Sequence, residues 1–336
     1  MIKFKQTTLV RSLVMAAAIA WTAQAAEAQT VMKMASATIN DVQHEWQKTF
    51  AAELESRVGD AVTVEIYPAS QLGTIPRMAE GVVLGTIESF ISPTAFLVGV
   101  EPKLKIFDAP GLFDSPEHLA RVIHGESYRD HMEEIALGKG LRIIGAIYNS
   151  PFIVLTKEPA PALDDLKGLK IRTFASPLQI EPMKAIGASA LPLPLSEVVP
   201  ALQSGSIDGM LAGMPILVAF KYYDIAKHVT DLQFSIIVSV NVVNEDWFQS
   251  QSAEVREAIL ASGRAAEKAV LQWGIDNVAR TNSVWLEKGG EILALSDADR
   301  ARMTATFKSV SDKILSEDAA VAAEYAKLLE AVEAAR

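Results

Sequence analysis

Hydrophobic and polar positions along the chain switch repeatedly between a period of two and a period near four. The run Val31-Met32-Lys33-Met34-Ala35-Ser36-Ala37 alternates as a strand does. Asn40 or Asp41 can cap the helix after it, in which Val42, Trp46 and Phe50 recur every four residues and which Gly59 stops. Residues 62–67 then read as strand, 76–84 as helix and 89–92 as a short buried strand. The order β-α-β-α-β predicts a mostly parallel sheet covered on both faces. A helical stretch over 116–136, with Gly125 as a point of interruption, leads into a strand at 141–148.

From Pro151 the same grammar restarts: strands at 152–156 and 169–174, a helix at 177–186, a strand at 190–194 and a helix at 196–203. Val83-Leu84-Gly85-Thr86-Ile87-Glu88 and Leu202-Gln203-Ser204-Gly205-Ser206-Ile207-Asp208 match locally, each a helix stopped by Gly before a strand opening with Ile and an acid. Two lobes of similar topology follow from that pairing. The Ile- and Val-rich segment 234–243 reads as a crossing strand, and 252–288 is helical with few breakers, long enough at about 50 Å to brace two lobes. Residues 297–336 are Ala- and Glu-rich surface helix. With hinges around 148–152 and 239–243, lobe I takes residues 29–150 plus 240–280, and lobe II takes 151–239 plus 281–336 with the C-terminal helices.

Composition narrows the class. The 336 residues are 50% hydrophobic and 21% charged, as in a globular protein of about two domains. A net charge of −10 leaves no basic surplus for phosphates, so nucleic acid and anionic membrane are not expected partners. The absence of Cys excludes disulfides, thiolate metal sites and cysteine nucleophiles. Lys3, Lys5 and Arg11 precede an apolar stretch over 13–21 and a small-residue segment ending at Ala28. That is the pattern of a secretory signal peptide, cleaved near Ala28, with an apolar core too short to span a bilayer. Residues 1–28 carry three positive charges and one negative, so their removal deepens the net charge to −12. An exported, periplasmic protein without membrane insertion is the expectation.

No catalytic constellation is visible. The five histidines, His44, His118, His124, His131 and His228, have no metal-ligand spacing, and no nucleophile elbow, phosphate loop or dinucleotide fingerprint occurs. Neither a metal nor another cofactor is expected. Arg172 closes a strand before the turn Thr173-Phe174-Ala175-Ser176-Pro177, at the carboxyl edge where open α/β sheets gather ligands. A guanidinium there can hold a carboxylate through two parallel hydrogen bonds. On position alone, a surface arginine beside Lys167 and Lys170 remains an equal alternative.

Several motifs in order resemble a known family. Asp165-Leu166-Lys167-Gly168-Leu169-Lys170-Ile171-Arg172, then Met183-Lys184-Ala185-Ile186-Gly187-Ala188, Pro192-Leu193-Pro194-Leu195-Ser196-Glu197-Val198 and the segment from Ala201 to Gly209 look like the signature of the DctP-like solute receptors of tripartite ATP-independent periplasmic (TRAP) transporters. Tyr67-Pro68-Ala69-Ser70-Gln71-Leu72-Gly73 and Leu84-Gly85-Thr86-Ile87 agree in the first half. The resemblance implies an α/β, two-lobed periplasmic binding protein fold with parallel or mixed sheets, hinge strands and a long bracing helix. It further implies a receptor, not an enzyme, that captures a small organic acid, pairs its carboxylate with Arg172 and delivers it to a membrane permease. Family contacts fall here on Asn40, Asp41, His44 and Trp46; Ser92 and Thr94; Tyr148 and Asn149; and Leu211, Ala212 and Gly213. Two departures, Asn149-Ser150-Pro151-Phe152 and Asp208-Gly209-Met210-Leu211-Ala212, put apolar residues where many members carry polar ones. A monocarboxylate with an apolar or aromatic tail, resting against Phe152, Phe174, Met210 or Trp46, is therefore the expected solute. Packing of the lobes is the competing role for these four, and an exported enzyme acting on an organic acid is the competing function.

Overall fold

The computed structural model describes residues 30–336, so the signal-peptide reading of residues 1–28 lies outside the described residues. Among the described residues, nine strands form one continuous mixed sheet in the order β2-β1-β3-β8-β4-β7-β5-β6, with β9 added against β8. Strands β1 (Thr30–Ser36), β2 (Val62–Tyr67) and β3 (Ser89–Pro93) are mutually parallel and make up one end. At the other end lie β5 (Lys170–Thr173), β6 (Ser189–Pro192) and β7 (Gly209–Ala212), again parallel. Between them run two long antiparallel strands, β4 (Leu141–Thr156) and β8 (His228–Asn244), and β9 (Glu291–Ala294) joins β8 in parallel.

Each βαβ unit is closed by a helix with a legible start. Asp41 caps α1 (Val42–Val58) by accepting the amide of His44, and Gly59, at φ 55°, ends it. The helices α2 (Ile75–Val83), α3 (Pro116–His124) and α4 (Glu126–Glu134) complete the first half, and the predicted break at Gly125 separates α3 from α4. The second half holds α5 (Pro177–Ala185), α6 (Leu195–Ser204) and α7 (Met214–Ala219). After α8 (Glu245–Ser250) comes α9 (Ala253–Glu287), 35 residues capped by Ser252, and then α10 (Asp297–Ser316) and α11 (Ala319–Ala334).

Where the sequence predicted two strands on either side of Pro151, β4 runs through without a break. The strand absorbs the irregularity in three register shifts against β8, between Ile143 and Gly145, Tyr148 and Ser150, and Pro151 and Ile153. A proline without an N–H is tolerated at such a bulge. Strand β8 likewise extends beyond 234–243, because its first half pairs with the second half of β4.

The bracing helix lies directly on this ribbon. A Cβ on Gly263 would fall 1.8 Å from the carbonyl oxygen of Ile144, and Gly274 packs against Val42 and Tyr148. Only glycine lets helix and strand backbones approach so closely. Below α9, Arg129 of α4 donates at 2.7 and 2.6 Å to the carboxylate of Glu267 and at 2.7 Å to Glu133, and Glu267 also accepts the amide of Ala146 on β4. All three side chains are buried. One ionic cluster thus ties α4, α9 and β4 together.

Candidate functional site

The antiparallel centre turns the two ends of the sheet toward each other. Strands β1 and β3 point one way, β5 and β7 the opposite way, and their carboxyl ends meet over the middle of the β4–β8 ribbon. Carboxyl ends of parallel strands are where open α/β sheets leave room for ligands. A narrow cavity lies there, with about 30 Å³ of free space between its walls. Thr38 and Gln43 follow β1, Ser92 and Pro93 end β3, and Phe96 stands in the turn beyond. Facing them are Arg172 and Phe174 around the end of β5, with Met210, Ala212 and Gly213 around the end of β7. Asn149 of β4 and Ile237 of β8 come from the ribbon itself.

Arg172 decides the chemistry of this space. It is 1% exposed, which excludes the surface-arginine alternative. Its Nε donates to the carbonyl of Leu193 at 2.9 Å and its Nη1 to that of Leu211 at 3.1 Å. The guanidinium carbon lies 4.8 Å from the Phe174 ring centre and 5.5 Å from that of Phe96. These partners hold the fork in place but carry no negative charge, and among the described residues Arg172 makes no salt bridge. Burial accordingly pushes its pKa down to about 10. A cation kept dry beside neutral groups is costly unless an anion joins it.

The remaining polar groups are few. Gln43 donates to the hydroxyl of Thr38 at 3.1 Å and to Asp41 at 3.2 Å, and Asn149 donates to Ser239 at 3.0 Å. The Ser92 hydroxyl is buried and, among the described residues, has no hydrogen-bond partner. Two consecutive residues at positive φ, Ala69 and Ser70, donate their amides to the carbonyls of Thr38 and Ser36. That turn, part of the motif 67–73, anchors the loop that carries Thr38. Ile75, Ile91, Leu195, Met210, Ile216 and Ile237 supply the rest of the wall, so the cavity is mainly apolar.

Of the predicted contacts, Arg172, Asn149, Phe174, Ser92, Met210 and Ala212 line the cavity, as does Gly213. The others are placed elsewhere. Trp46 stacks on Phe50 at 5.1 Å and fills the space left by Gly145, where a Cβ would lie 2.3 Å from its ring. Phe152 is fully buried between Phe174 and Phe234, at 5.5 and 5.1 Å, in the core beneath the site. Thr94 turns its hydroxyl to Asp108 and to the carbonyl of Val238. His44 lies on the outer side of α1, its Nδ1 accepting the amide of Asn40, and Tyr148 packs under Gly274 of the bracing helix. Asp41 is spent on the cap of α1, and Leu211 contributes its carbonyl to Arg172.

Gln43, Phe96 and Ile75 were not among the sequence candidates. The pair Gln43 and Gln47, four apart beside the apolar stripe of α1, is the one signal that could have marked the first; both are buried. Phe96 gives no periodic signal, because it sits in a single turn of 3₁₀ helix.

A second buried acid borders the site. Asp108 accepts from Thr94 at 3.4 Å and from Gln179 of α5 at 3.3 Å, Ser176 faces it as well, and burial outweighs these donors and pushes its pKa up to about 7. An acid whose folded pKa is raised stabilises the fold most below its unfolded value near 4, and that contribution is lost as pH rises through 7. Glu267 and Asp41 are shifted in the same direction by burial. Urea denaturation should therefore show the parent losing stability from pH 5 to pH 8, and Asp108→Asn losing less, the difference being on the order of 2 kcal/mol. Equal pH dependence of the two proteins would refute the assignment.

With the geometry in hand, the relatives are informative. The model of the DctP family, bacterial extracellular solute-binding protein family 7, matches residues 34–318. The chain belongs to this family. The DctP assignment agrees with a 2,3-diketo-L-gulonate-binding periplasmic protein of Escherichia coli, 29% identical over 67% of this chain and 69% of that protein. A sialic acid-binding periplasmic protein of Vibrio cholerae is 24% identical over 70% of this chain and 74% of its own length. Among solved structures, a TRAP periplasmic solute-binding protein from Desulfovibrio salexigens with bound orotic acid superposes with a TM-score of 0.86, at 24% identity, covering 91% of this chain and 99% of that one. The two-lobed TRAP receptor fold expected from the sequence is thus the observed one. DctP proteins are extracytoplasmic solute-binding receptors and not enzymes, which sets aside the reading as an exported enzyme. Among the described residues no helix is long and apolar enough to cross a membrane, and no group of His, Asp and Glu could hold a metal ion.

Proposed function

We propose that this DctP receptor captures a small monocarboxylate with an apolar or aromatic body in the periplasm and hands it to the membrane permease of a TRAP transporter. The observation that carries the reading is Arg172, a fixed and buried guanidinium with two neutral acceptors and no carboxylate of its own. A solute carboxylate supplies the missing charge, and a bidentate pair fixes its orientation. A second carboxylate would find no second cation among the lining residues. Dense hydroxyls, as in a sugar acid, would meet Ile75, Ile91, Leu195, Ile216 and Ile237 and lose their water without replacement.

Closure follows from the same layout. Lobe I, taken as 29–150 plus 240–280, brings Thr38, Gln43, Ser92 and Phe96; lobe II, taken as 151–239 plus 281–336, brings Arg172, Phe174 and Met210. A solute touching both sets favours the shut arrangement because only there are all contacts made. Residues 1–28 serve as the export signal, cleaved near Ala28.

The test is mass spectrometry of whatever copurifies, followed by calorimetry with a panel of acids. The panel includes benzoate and short alkanoates, together with succinate, galacturonate, orotic acid and 2,3-diketo-L-gulonate, which are named for relatives or structural neighbours. Monocarboxylates with apolar bodies should bind at least about tenfold more tightly than succinate or galacturonate. The opposite order would sink the apolar-tail reading, and no binding of any acid would sink the receptor's carboxylate chemistry.

A further inference from the structure

The cavity has a neighbour on the far side of one ring. An open groove on the surface is lined by Pro76, Ala79, Val83, Leu84, Val100 and Ala175, with Glu80 the one charged residue among them, and its lining is mainly apolar. Ile75 and Phe96 belong to both spaces. Phe96 stacks on Phe174 with ring centres 4.7 Å apart, so one ring from each half of the sheet meets over the guanidinium of Arg172. Leu84 is 68% exposed, the most of any large hydrophobic side chain among the described residues, and Val83 beside it is 36% exposed. A greasy, water-facing rim next to a buried apolar pocket has the form of a continuation that one side chain interrupts.

We propose that Phe96 is the residue that limits the length of the solute's tail, and that the groove behind it takes the tail of a longer monocarboxylate once that ring is cut back. The inference rests on the carboxylate reading of Arg172 given above. The physical reason is the position of the ring: it stands between the two spaces, stacked on Phe174 and over the Arg172 guanidinium, and Ile75 is the other residue that both spaces share. In the parent, methylene groups added to a tail that already fills the cavity must displace the stacked pair. Without the ring they pass over Ile75 and are buried against Val83, Leu84 and Val100. Each methylene transferred from water to apolar surface strengthens binding by about fourfold, so two give more than tenfold.

Calorimetry with two homologous series, butanoate to decanoate and benzoate to 5-phenylpentanoate, tests this. The parent should bind the short members and lose the long ones. Phe96→Ala should bind the long members about tenfold or more better than the parent does, while its affinity for the short members falls. Phe96→Leu, a milder change that guards against a folding defect, should give an intermediate gain, and Phe96→Trp should shift the cut-off toward shorter acids. Adding Leu84→Asp to Phe96→Ala should abolish the gain, because the charge removes the apolar floor of the groove. Short acids bound by the parent with no gain for long ones in either smaller variant would overturn the role of Phe96 and leave Arg172 intact. A gain that survives Leu84→Asp would overturn the groove as the place of the tail. Failure of the parent to bind any member of either series would overturn the carboxylate reading and this inference with it.

Discussion

Arg172→Met should abolish solute capture while leaving the unliganded protein at least as stable as the parent. Loss of the guanidinium strands a desolvated carboxylate, which costs about 2–5 kcal/mol, or roughly 30- to 4,000-fold in affinity. Calorimetry with the tightest-binding acid of the panel reads that loss. Stability moves the other way for a separate reason. The guanidinium is buried, its pKa is depressed to about 10, and its partners are the carbonyls of Leu193 and Leu211 and two aromatic faces. Methionine fills a similar volume without a charge to desolvate. Undiminished binding would remove Arg172 from the solute contact, and a sharp drop in melting temperature would make it a structural residue.

Arg129→Met is expected to have the largest effect on folding. Glu133 and Glu267 both point at this one guanidinium from buried positions, and Glu267 holds the Ala146 amide as well. Removing the shared cation leaves two buried carboxylates without it, with only His124 beside Glu267, and breaking such a buried cluster costs about 3–5 kcal/mol. Arg264, which reaches Glu133 from the half-exposed side, offsets only part of this. The loss should shrink when Glu267→Gln is added, and shrink also at pH 5, where the carboxyl already raised by burial takes up a proton. Denaturation midpoints of parent, single and double variants at two pH values check both statements. A single variant as stable as the parent would show that the cluster is not a fastening point for the bracing helix.

How far the molecule could be read from its sequence depended on the reach of the forces involved. Local rules were enough for α1, whose Val42, Trp46 and Phe50 stripe and Asp41 cap stand as the pattern required, and for α9, where uninterrupted helical residues gave nearly the observed bounds. Periodicity tells which face of a helix is apolar but not what that face meets. The sequence alone thus places Trp46 at the site although it fills the hollow at Gly145 one layer away, and Phe152, where the sequence predicts a strand to begin beside a hinge, belongs to the core below it. Strand β9 and the full length of β8 depend on pairing between residues more than 60 positions apart, which no short window carries. The site behaved the same way. Arg172 was legible because strand end, turn and motif coincide on it, whereas Gln43 and Phe96 reach the cavity only through the mutual approach of two sheet ends. Pro151 was misleading for a plain reason: it reads as a stop, and the register shift beside it lets the strand continue.

That uninterrupted ribbon constrains how the receptor can open. Two halves tethered by loops would swing freely, but here both are stitched by hydrogen bonds to the same pair of strands, so any separation has to be taken up as torsion of a loaded spring. If the two lobes part as proposed, the three slips in pairing along β4 are where the ribbon has fewest hydrogen bonds to resist that torsion. Residues that never touch the solute, among them Gly145 and Pro151, would then set how long it is held.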